Sequence, residues 1–318
     1  MGAGSVPAEQ FEELRPLLFS IAYRILGSVS DAEDAVQETW LRSQASTTPP
    51  ISLKSFLSAV VTRASIDMLR SARVRRESYV GQWLPEPLLT DTPFTGTGST
   101  PYADPEHAAE LADSISMAAL LLLERLSPEQ RAVFVLHDVF AYPFAEIAEV
   151  VGKSETACRQ LASRARRLIE DGRPRFDVDR QAREELATRF FDALTVGDVD
   201  ELRQLLAEDV EVYGDGGGKA PQWMRVIVGL DNVARMFAGL GRRFVGTGLE
   251  VERHEVNGQP GAVFRDASGR VINVLTLDVL DGRIQVIRSV INPDKLHHIG
   301  PVADAWALMR ETPPDPGR

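Results

Sequence analysis

The chain carries a single cysteine, Cys158, among 318 residues. One thiol excludes an internal disulfide and any cysteine-rich metal site. Missing too are an apolar run of membrane-spanning length and an N-terminal stretch that is first basic and then apolar. These absences set the expectation of a cytoplasmic protein with no membrane partner. Positive charge is not in excess either. The formal net charge is −11, which argues against indiscriminate polyanion binding by the whole molecule. No internal repeat is visible. Against these absences stand a hydrophobic fraction of 44%, ordinary for a globular protein, and enough length for two or three domains with cores of their own.

What positive charge there is comes in two islands. Lys54, Arg63, Arg70, Arg73, Arg75 and Arg76 face only Asp67 between positions 54 and 76. Lys153, Arg159, Arg164, Arg166 and Arg167 face only Glu155 between positions 153 and 167. Basic islands in an acidic chain point to two localised phosphate contacts. The alternative is a pair of solvated helix faces.

The second island lies in SPEQRAVFVLHDVFAYPFAEIAEVVGKSETACRQLASRARRLI, Ser127 to Ile169. Val133, Leu136 and Phe140 share one face of a first helix, and Phe144, Ile147, Ala148, Val150 and Val151 make a short second one. Gly152 breaks it, since glycine accepts the left-handed turn that ends a helix. Ser154 is a ready N-cap for the next helix. There Cys158, Leu161, Ala162, Ala165 and Leu168 face inward. Thr156, Arg159, Gln160, Ser163, Arg164 and Arg167 are left outside. A short helix, a tight turn and a helix with an Arg/Gln/Ser face match the helix-turn-helix, whose last helix enters the major groove. Arg and Gln suit bidentate contacts to guanine and adenine edges. The alternative is a surface helix hairpin in an ordinary bundle.

Residues from about Glu9 to Glu77 read as all-helical. Phe11, Leu14, Leu17, Leu18, Ile21, Ala22, Ile25 and Leu26 form a stripe ended by Gly27. Ser30 is the expected cap of a second helix, with Asp31, Glu33 and Asp34 near its N-terminus and Ala35, Val36, Thr39, Trp40 and Leu41 available for the core. Ser52 opens a third helix running to about Arg73. TDTPFTGTGSTPYADPEH, within 79–107, has linker composition. Its preface Trp83-Leu84-Pro85-Glu86-Pro87-Leu88 is too apolar for a spacer and is expected to dock. Beyond about Arg180 come two helices, the second through GDVDELRQLLAEDV and capped by Asp198 or Asp200. Asp231 and Asn232 open a further helix. The alternating runs VEVYGD, RVIVG, LEVERHEV, GAVFRD, RVINVLTLDVL and RIQVIRSVI predict a curved antiparallel sheet with a hairpin at Asp281-Gly282. The expected fold class is therefore multi-domain: two all-α domains and an α+β domain.

With these pieces placed, the chain resembles the extracytoplasmic-function sigma factors, in particular the SigJ-type members with a C-terminal SnoaL-like extension. SDAEDAVQETWLR resembles the sigma-domain-2 helices that bind the polymerase clamp, and SFLSAVVTRASIDMLRSARVRRE the part that opens and reads the −10 element. LSPEQRAVFVLHDVFAYPFAEIAEVVGKSETACRQLASRARR resembles sigma domain 4, the −35 reader. WLPEPL, DGGGK (Asp215, Gly216, Gly217, Gly218, Lys219) and NPDKL (Asn292, Pro293, Asp294, Lys295, Leu296) resemble motifs of the SnoaL-extended subgroup. The resemblance divides the chain into sigma domain 2 (1–78), linker (79–107), sigma domain 4 (108–175), a SnoaL-like cone (176–296) and a tail (297–318).

The resemblance implies core RNA polymerase and promoter DNA as partners, with no cofactor. It makes Asp31, Glu33, Asp34, Gln37 and Glu38 polymerase contacts; for Asp31 helix capping is the competing role. Arg63, Arg70, Arg73, Arg75 and Arg76 become phosphate clamps or walls of a pocket for an unstacked base, with Asp67 an intrahelical partner of Arg63 or Arg70. Thr156, Arg159, Gln160, Ser163 and Arg164 become base or phosphate readers, and Arg166 and Arg167 backbone contacts. The cone shares its implied fold with cyclases and isomerases, for which Asp215, His254, Asp278 and Tyr213 could supply acid or base. The three glycines beside Asp215 instead suggest close backbone packing on a neighbour. The preferred reading is a regulatory module in which DGGGK and NPDKL dock on WLPEPL. The alternatives are a SnoaL-type cyclase or isomerase fused to a DNA-binding arm, and a regulator that acts without polymerase. His297-His298 is read as a surface tail rather than a metal pair.

Overall fold

Helices dominate the described residues of the sigma-like regions because their apolar residues recur every three or four positions. The computed structural model describes residues 6–45, 50–91, 115–170, 179–244 and 247–311. They fall into two units, one of residues 1–78 with 92–174 and one of residues 79–91 with 175–318. Residues 79–91, expected at the start of a linker, thus pack with the sheet-bearing unit. The rest of that linker lies outside the described residues.

In the first unit α1 (Ala8–Leu26) stops at Gly27, whose φ of 67° is left-handed. The chain reverses so quickly there that Ser28, not Ser30, becomes the cap of α2 (Val29–Gln44). Its hydroxyl accepts the Asp31 N–H at 3.0 Å, and Ser30 is already in the first turn. Ser52 opens α3 (Leu53–Glu77), which continues past the expected end at Arg73. Next come α4 (Met117–Leu123) and α5 (Pro128–Phe134), the latter begun by a Ser127/Gln130 capping box and continued by a π-helical turn, Val135–Val139. The motif closes with α6 (Phe144–Val151), ended by Gly152 at φ 65°, and α7 (Glu155–Glu170), capped by Ser154.

Phe11, Leu18, Ile21, Val36, Leu57 and Val61 bury the contacts among α1, α2 and α3, and Cys158, Ala162 and Ala165 seat α7. Arg131 on α5 is buried and donates to the Ile25 carbonyl and to Glu124, each at 2.7 Å. One expected core residue is not in the core: Leu41 is 58% exposed. Trp40 beside it packs edge-on against Phe11 at 4.9 Å.

In the second unit α8 (Arg180–Val196) is followed by α9 (Val199–Leu205), capped by Asp198, which accepts the N–H groups of Asp200 and Glu201. The helix expected to run through GDVDELRQLLAEDV stops there. Leu206 begins β1 (Leu206–Asp215), where sheet pairing takes over from helix propensity. Then come β2 (Ile227–Val228), α10 (Leu230–Phe244), β3 (Glu250–Val256), β4 (Gln259–Arg265), β5 (Val271–Leu280) and β6 (Arg283–Val290). The order is β2-β1-β6-β5-β4-β3. Asp281 and Gly282, at φ 54° and 66°, turn the β5–β6 hairpin. The sheet is not wholly antiparallel, because β1 and β6 run parallel, the intervening helix and strands bringing the chain back in the same direction. Phe190 meets Phe191 and Phe237 edge-on at 5.3 and 5.6 Å between the helices and the sheet.

The expected tail is partly structured. A short 3-10 turn, Pro293–Lys295, follows β6, Val302 bridges to Val271, and α11 (Ala305–Glu311) closes the described chain. Among the described residues, no helix is long and apolar enough to cross a membrane.

Candidate nucleic-acid interface and linker-docking site

The outer face of α7 is built as its periodicity requires. Thr156, Arg159, Gln160, Ser163, Arg164 and Arg167 are exposed, with Cys158 turned inward, where burial pushes its thiol pKa up. Arg159 is steadied by Glu155 at 2.7 Å and lies 5.3 Å from the centre of the Phe144 ring. Arg166, expected beside Arg167 as a backbone contact, is half-buried and pairs with Asp138.

The α3 arginines are engaged within their own unit. Arg63 donates to the carbonyls of Glu149 and Val150 at 2.9 and 3.1 Å, in the last turn of α6. A cation there suits the negative end of the helix dipole. Arg70 binds Asp67 at 3.3 Å and Glu129 at 2.6 Å, and its hydrogen bond lowers the Glu129 carboxyl pKa below the usual value. Ser58 and Tyr142 share a buried hydrogen bond of 2.7 Å beside them. The side chains of Arg73, Arg75 and Arg76 lie outside the described residues.

On α2, Asp34 and Gln37 are exposed and Asp31 is half-buried. Glu33 pairs with Arg15 at 2.5 Å and Glu38 with Arg42 at 2.7 Å. Leu41 lies one turn beyond Gln37 and Glu38. The exposed apolar group beside acidic ones makes Leu41 a contact candidate that core patterning had hidden.

Residues 79–91 bring the three SnoaL-subgroup motifs together. Asp215 is fully buried. One of its oxygens accepts from the Tyr79 hydroxyl, and the other from the Leu84 N–H at 2.8 Å and Lys295 Nζ at 2.7 Å. Lys295 also donates to the Leu84 carbonyl and lies 4.3 Å from the centre of the Trp83 ring and 5.0 Å from that of Tyr79. Asn292 Nδ2 donates to the Tyr79 oxygen at 2.7 Å, and the Ile291 and Asn292 amides to the Asp215 carbonyl. Burial, reinforced by the hydrogen bond to Asp215, pushes the Tyr79 phenol pKa well up, so it stays a donor.

The glycines act as expected for close backbone packing. Gly217 and Gly218 sit at φ 57° and 70°, and a Cβ on Gly218 would meet Val80 at 3.1 Å. Lys219 and Asp294 close the rim at 2.5 Å. Further along, Pro85, Glu86, Pro87 and Leu88 are buried. The Pro87 carbonyl accepts from His298 Nε2 at 2.7 Å, and Leu88 exchanges hydrogen bonds with Asn257 at 3.0 and 2.7 Å. Leu89 forms an antiparallel bridge with Val256. Tyr79, Gln82, Asn257 and His298 were not legible as partners from sequence. His298 is a docking residue, and burial lowers its pKa. Among the described residues, no cluster of His, Cys, Asp and Glu could hold a metal ion.

The acid–base candidates are committed to contacts. Asp215 is in the docking site, Asp278 pairs with Arg288 at 2.6 Å, and His254 faces Asp91 at 3.2 Å. Tyr213 donates to Glu211, with burial foremost in pushing its pKa to about 12. A separate cavity of about 940 Å³ lies between the sheet and α8, α10 and α11, and no carboxylate is among the described residues that line it.

Comparison with known proteins agrees along the chain. The profile of Sigma-70 region 2 matches residues 10–75, that of Sigma-70 region 4 matches 116–169, and that of the SnoaL-like domain matches 187–290. The ECF RNA polymerase sigma factor SigJ of Mycobacterium tuberculosis is 42% identical over 295 residues, 90% of this chain and 92% of that protein. A probable ECF RNA polymerase sigma factor, SigI, of the same species is 31% identical over 285 residues, 89% and 92% of the two chains. The crystal structure of M. tuberculosis SigJ superposes with a TM-score of 0.70 at 37% identity, covering 93% of this chain and 100% of that one. The chain therefore belongs to the extracytoplasmic-function RNA polymerase sigma factors, as an alternative sigma factor of the SigJ type with a fused C-terminal SnoaL-like domain.

Proposed function

We propose that this sigma factor binds core RNA polymerase through α2, reads promoter DNA with α7 and α3 in the cytoplasm, and is regulated by docking of residues 79–91. The observation that carries the promoter-reading half is the exposed polar face of α7. Thr156, Arg159, Gln160, Ser163 and Arg164 offer hydrogen-bond donors suited to base edges and phosphates, and Arg167 a phosphate contact. On α3, Arg73, Arg75 and Arg76 serve as phosphate clamps for the −10 element. Arg63 and Arg70 join them only after exchanging the Glu149 and Val150 carbonyls and Glu129 for DNA. Asp31, Glu33, Asp34, Gln37 and Glu38 face the polymerase clamp, with Leu41 as the apolar anchor among them.

The regulatory half rests on Asp215. Residues 79–91 lie in sequence between α3 and α4, so whatever holds them sets how much chain is free between the two promoter-reading modules. A carboxylate with three donors from the docked segment and the NPDKL turn is a strong latch. The SnoaL-like domain thereby takes the part that a separate anti-sigma factor plays elsewhere. The test is initiation by core polymerase with the full chain and with residues 175–318 removed. Altered output and altered −10/−35 spacing preference are expected, and identical behaviour overturns the regulatory reading.

A further inference from the structure

The cavity of about 940 Å³ in the sheet-bearing unit lies beside the latch, touching it at Ile291, and its lining is specific. Trp223, Phe237, Leu240, Phe264, Leu275 and Leu308 make most of it apolar. Its polar side chains include a connected set: Gln222 Nε2 donates to Ser289 Oγ at 2.9 Å, which donates to Asn273 Oδ1 at 3.1 Å. Among the described residues that line it, none has an ionisable side chain. An ion drawn into its apolar interior would shed water without gaining a countercharge from the described lining, and burying a charge without a partner is costly. An uncharged molecule meets no such cost.

Gln222 also reaches the other side of the wall. Its side chain occupies the space that a Cβ on Gly214 would take, and its own Cβ would lie 2.8 Å from one on Gly216. Those glycines flank Asp215. The Gly214 N–H donates to Gln82 Oε1 of the docked segment at 2.9 Å, and Gly214 is in register with Ser289 on β6. A ligand oxygen that takes Ser289's place as the partner of Gln222 therefore acts on the strand end that carries the latch.

We infer that this cavity is a binding site for a neutral, mainly hydrocarbon molecule bearing a hydroxyl or carbonyl group, and that its occupancy is coupled through Gln222 to docking of residues 79–91. The coupling rests on the latch reading of Asp215; the binding does not. By linkage, a ligand that changes the docking equilibrium tenfold has its own affinity changed tenfold by docking.

The test uses the full-length chain and the neutral fluorophore N-phenyl-1-naphthylamine. The dye is expected to bind with one site per chain, and 1-decanol to displace it at least tenfold more effectively than decanoate at pH 7.5. Leu240→Trp, which fills the cavity, should abolish dye binding while circular dichroism stays native. If that variant does not fold, the comparison of alcohol with carboxylate still decides. Absence of dye binding, or equal displacement by both chains, overturns the site and leaves the latch untouched. Hydrogen exchange at the Leu84 and Leu88 amides is then measured with and without decanol. A change of threefold or more in exchange rate, lost in Gln222→Ala, supports the coupling. Binding with unchanged exchange overturns it. Unprotected amides in the ligand-free chain would overturn the latch itself, and with it the coupling, but not the binding.

Discussion

Replacing Asp215 with Asn should undo the latch while barely changing shape. Lys295, 8% exposed in its side chain, then loses the Asp215 carboxylate and keeps the Leu84 carbonyl and two aromatic faces among its contacts. Opening a buried ion pair by removing one partner costs about 3–5 kcal/mol. The new amide NH2 also points at groups that are themselves donors, Leu84 N–H and Lys295 Nζ or the Tyr79 hydroxyl. Because 1.4 kcal/mol is a factor of ten, the Leu84 amide should exchange roughly 100- to 3,000-fold faster if the segment opens locally. Local exchange is the better assay, since a chain of several domains need not unfold in one step. The double variant Asp215→Leu/Lys295→Met removes both charges and should recover much of the loss, since a buried pair replaced by apolar groups is often near neutral. Acceleration below fivefold in Asp215→Asn would refute the latch argument. So would a double variant worse than the sum of its parts.

Other outcomes follow from the same geometry. Arg164→Ala should lower promoter affinity by about 1–3 kcal/mol, relaxing discrimination at one −35 position, with the thermal midpoint unchanged; equal loss on all sequences would make it a phosphate contact. Leu41→Glu should weaken binding to core polymerase in a pull-down without destabilising the chain, because the side chain is exposed; undiminished binding removes it from that interface. Protonation of His298 should loosen the docked segment. Burial lowers its pKa when docked from the usual 6.5, against the opposing pull of the Pro87 carbonyl and Glu86, with His297 also lowering it. The undocked chain thus takes up the proton first, and docking stability, constant above about pH 6.5, falls as pH drops below it. Leu84 exchange, corrected for its intrinsic pH dependence, should show that loss in the native chain and not in His298→Gln.

The sequence was most readable where one local force decides. Gly27 and Gly152 ended helices as left-handed residues, Ser154 capped α7, and the inward and outward faces of α7 followed from spacing. It was less readable where long-range pairing overrides local preference. Leu206 could have prolonged α9, but partners on β6 draw it into a strand, and the parallel β1–β6 pairing leaves no local mark. The docking segment was expected because an apolar Trp-Leu-Pro stretch in a linker needs a partner, while DGGGK and NPDKL were singled out by the family resemblance. Tyr79 and His298 were not, since a single tyrosine or histidine says nothing about a neighbour more than two hundred residues away. The same limit hid the engagement of Arg63 and Arg70, whose partners lie on α6 and at Glu129.

The most direct test of the account is binding of the purified chain to core RNA polymerase, followed by initiation from a defined promoter with purified components. The account predicts a stable complex and a start site set by −10 and −35 sequences that core polymerase alone does not use. No affinity for the core enzyme, or initiation indifferent to those sequences, would contradict it.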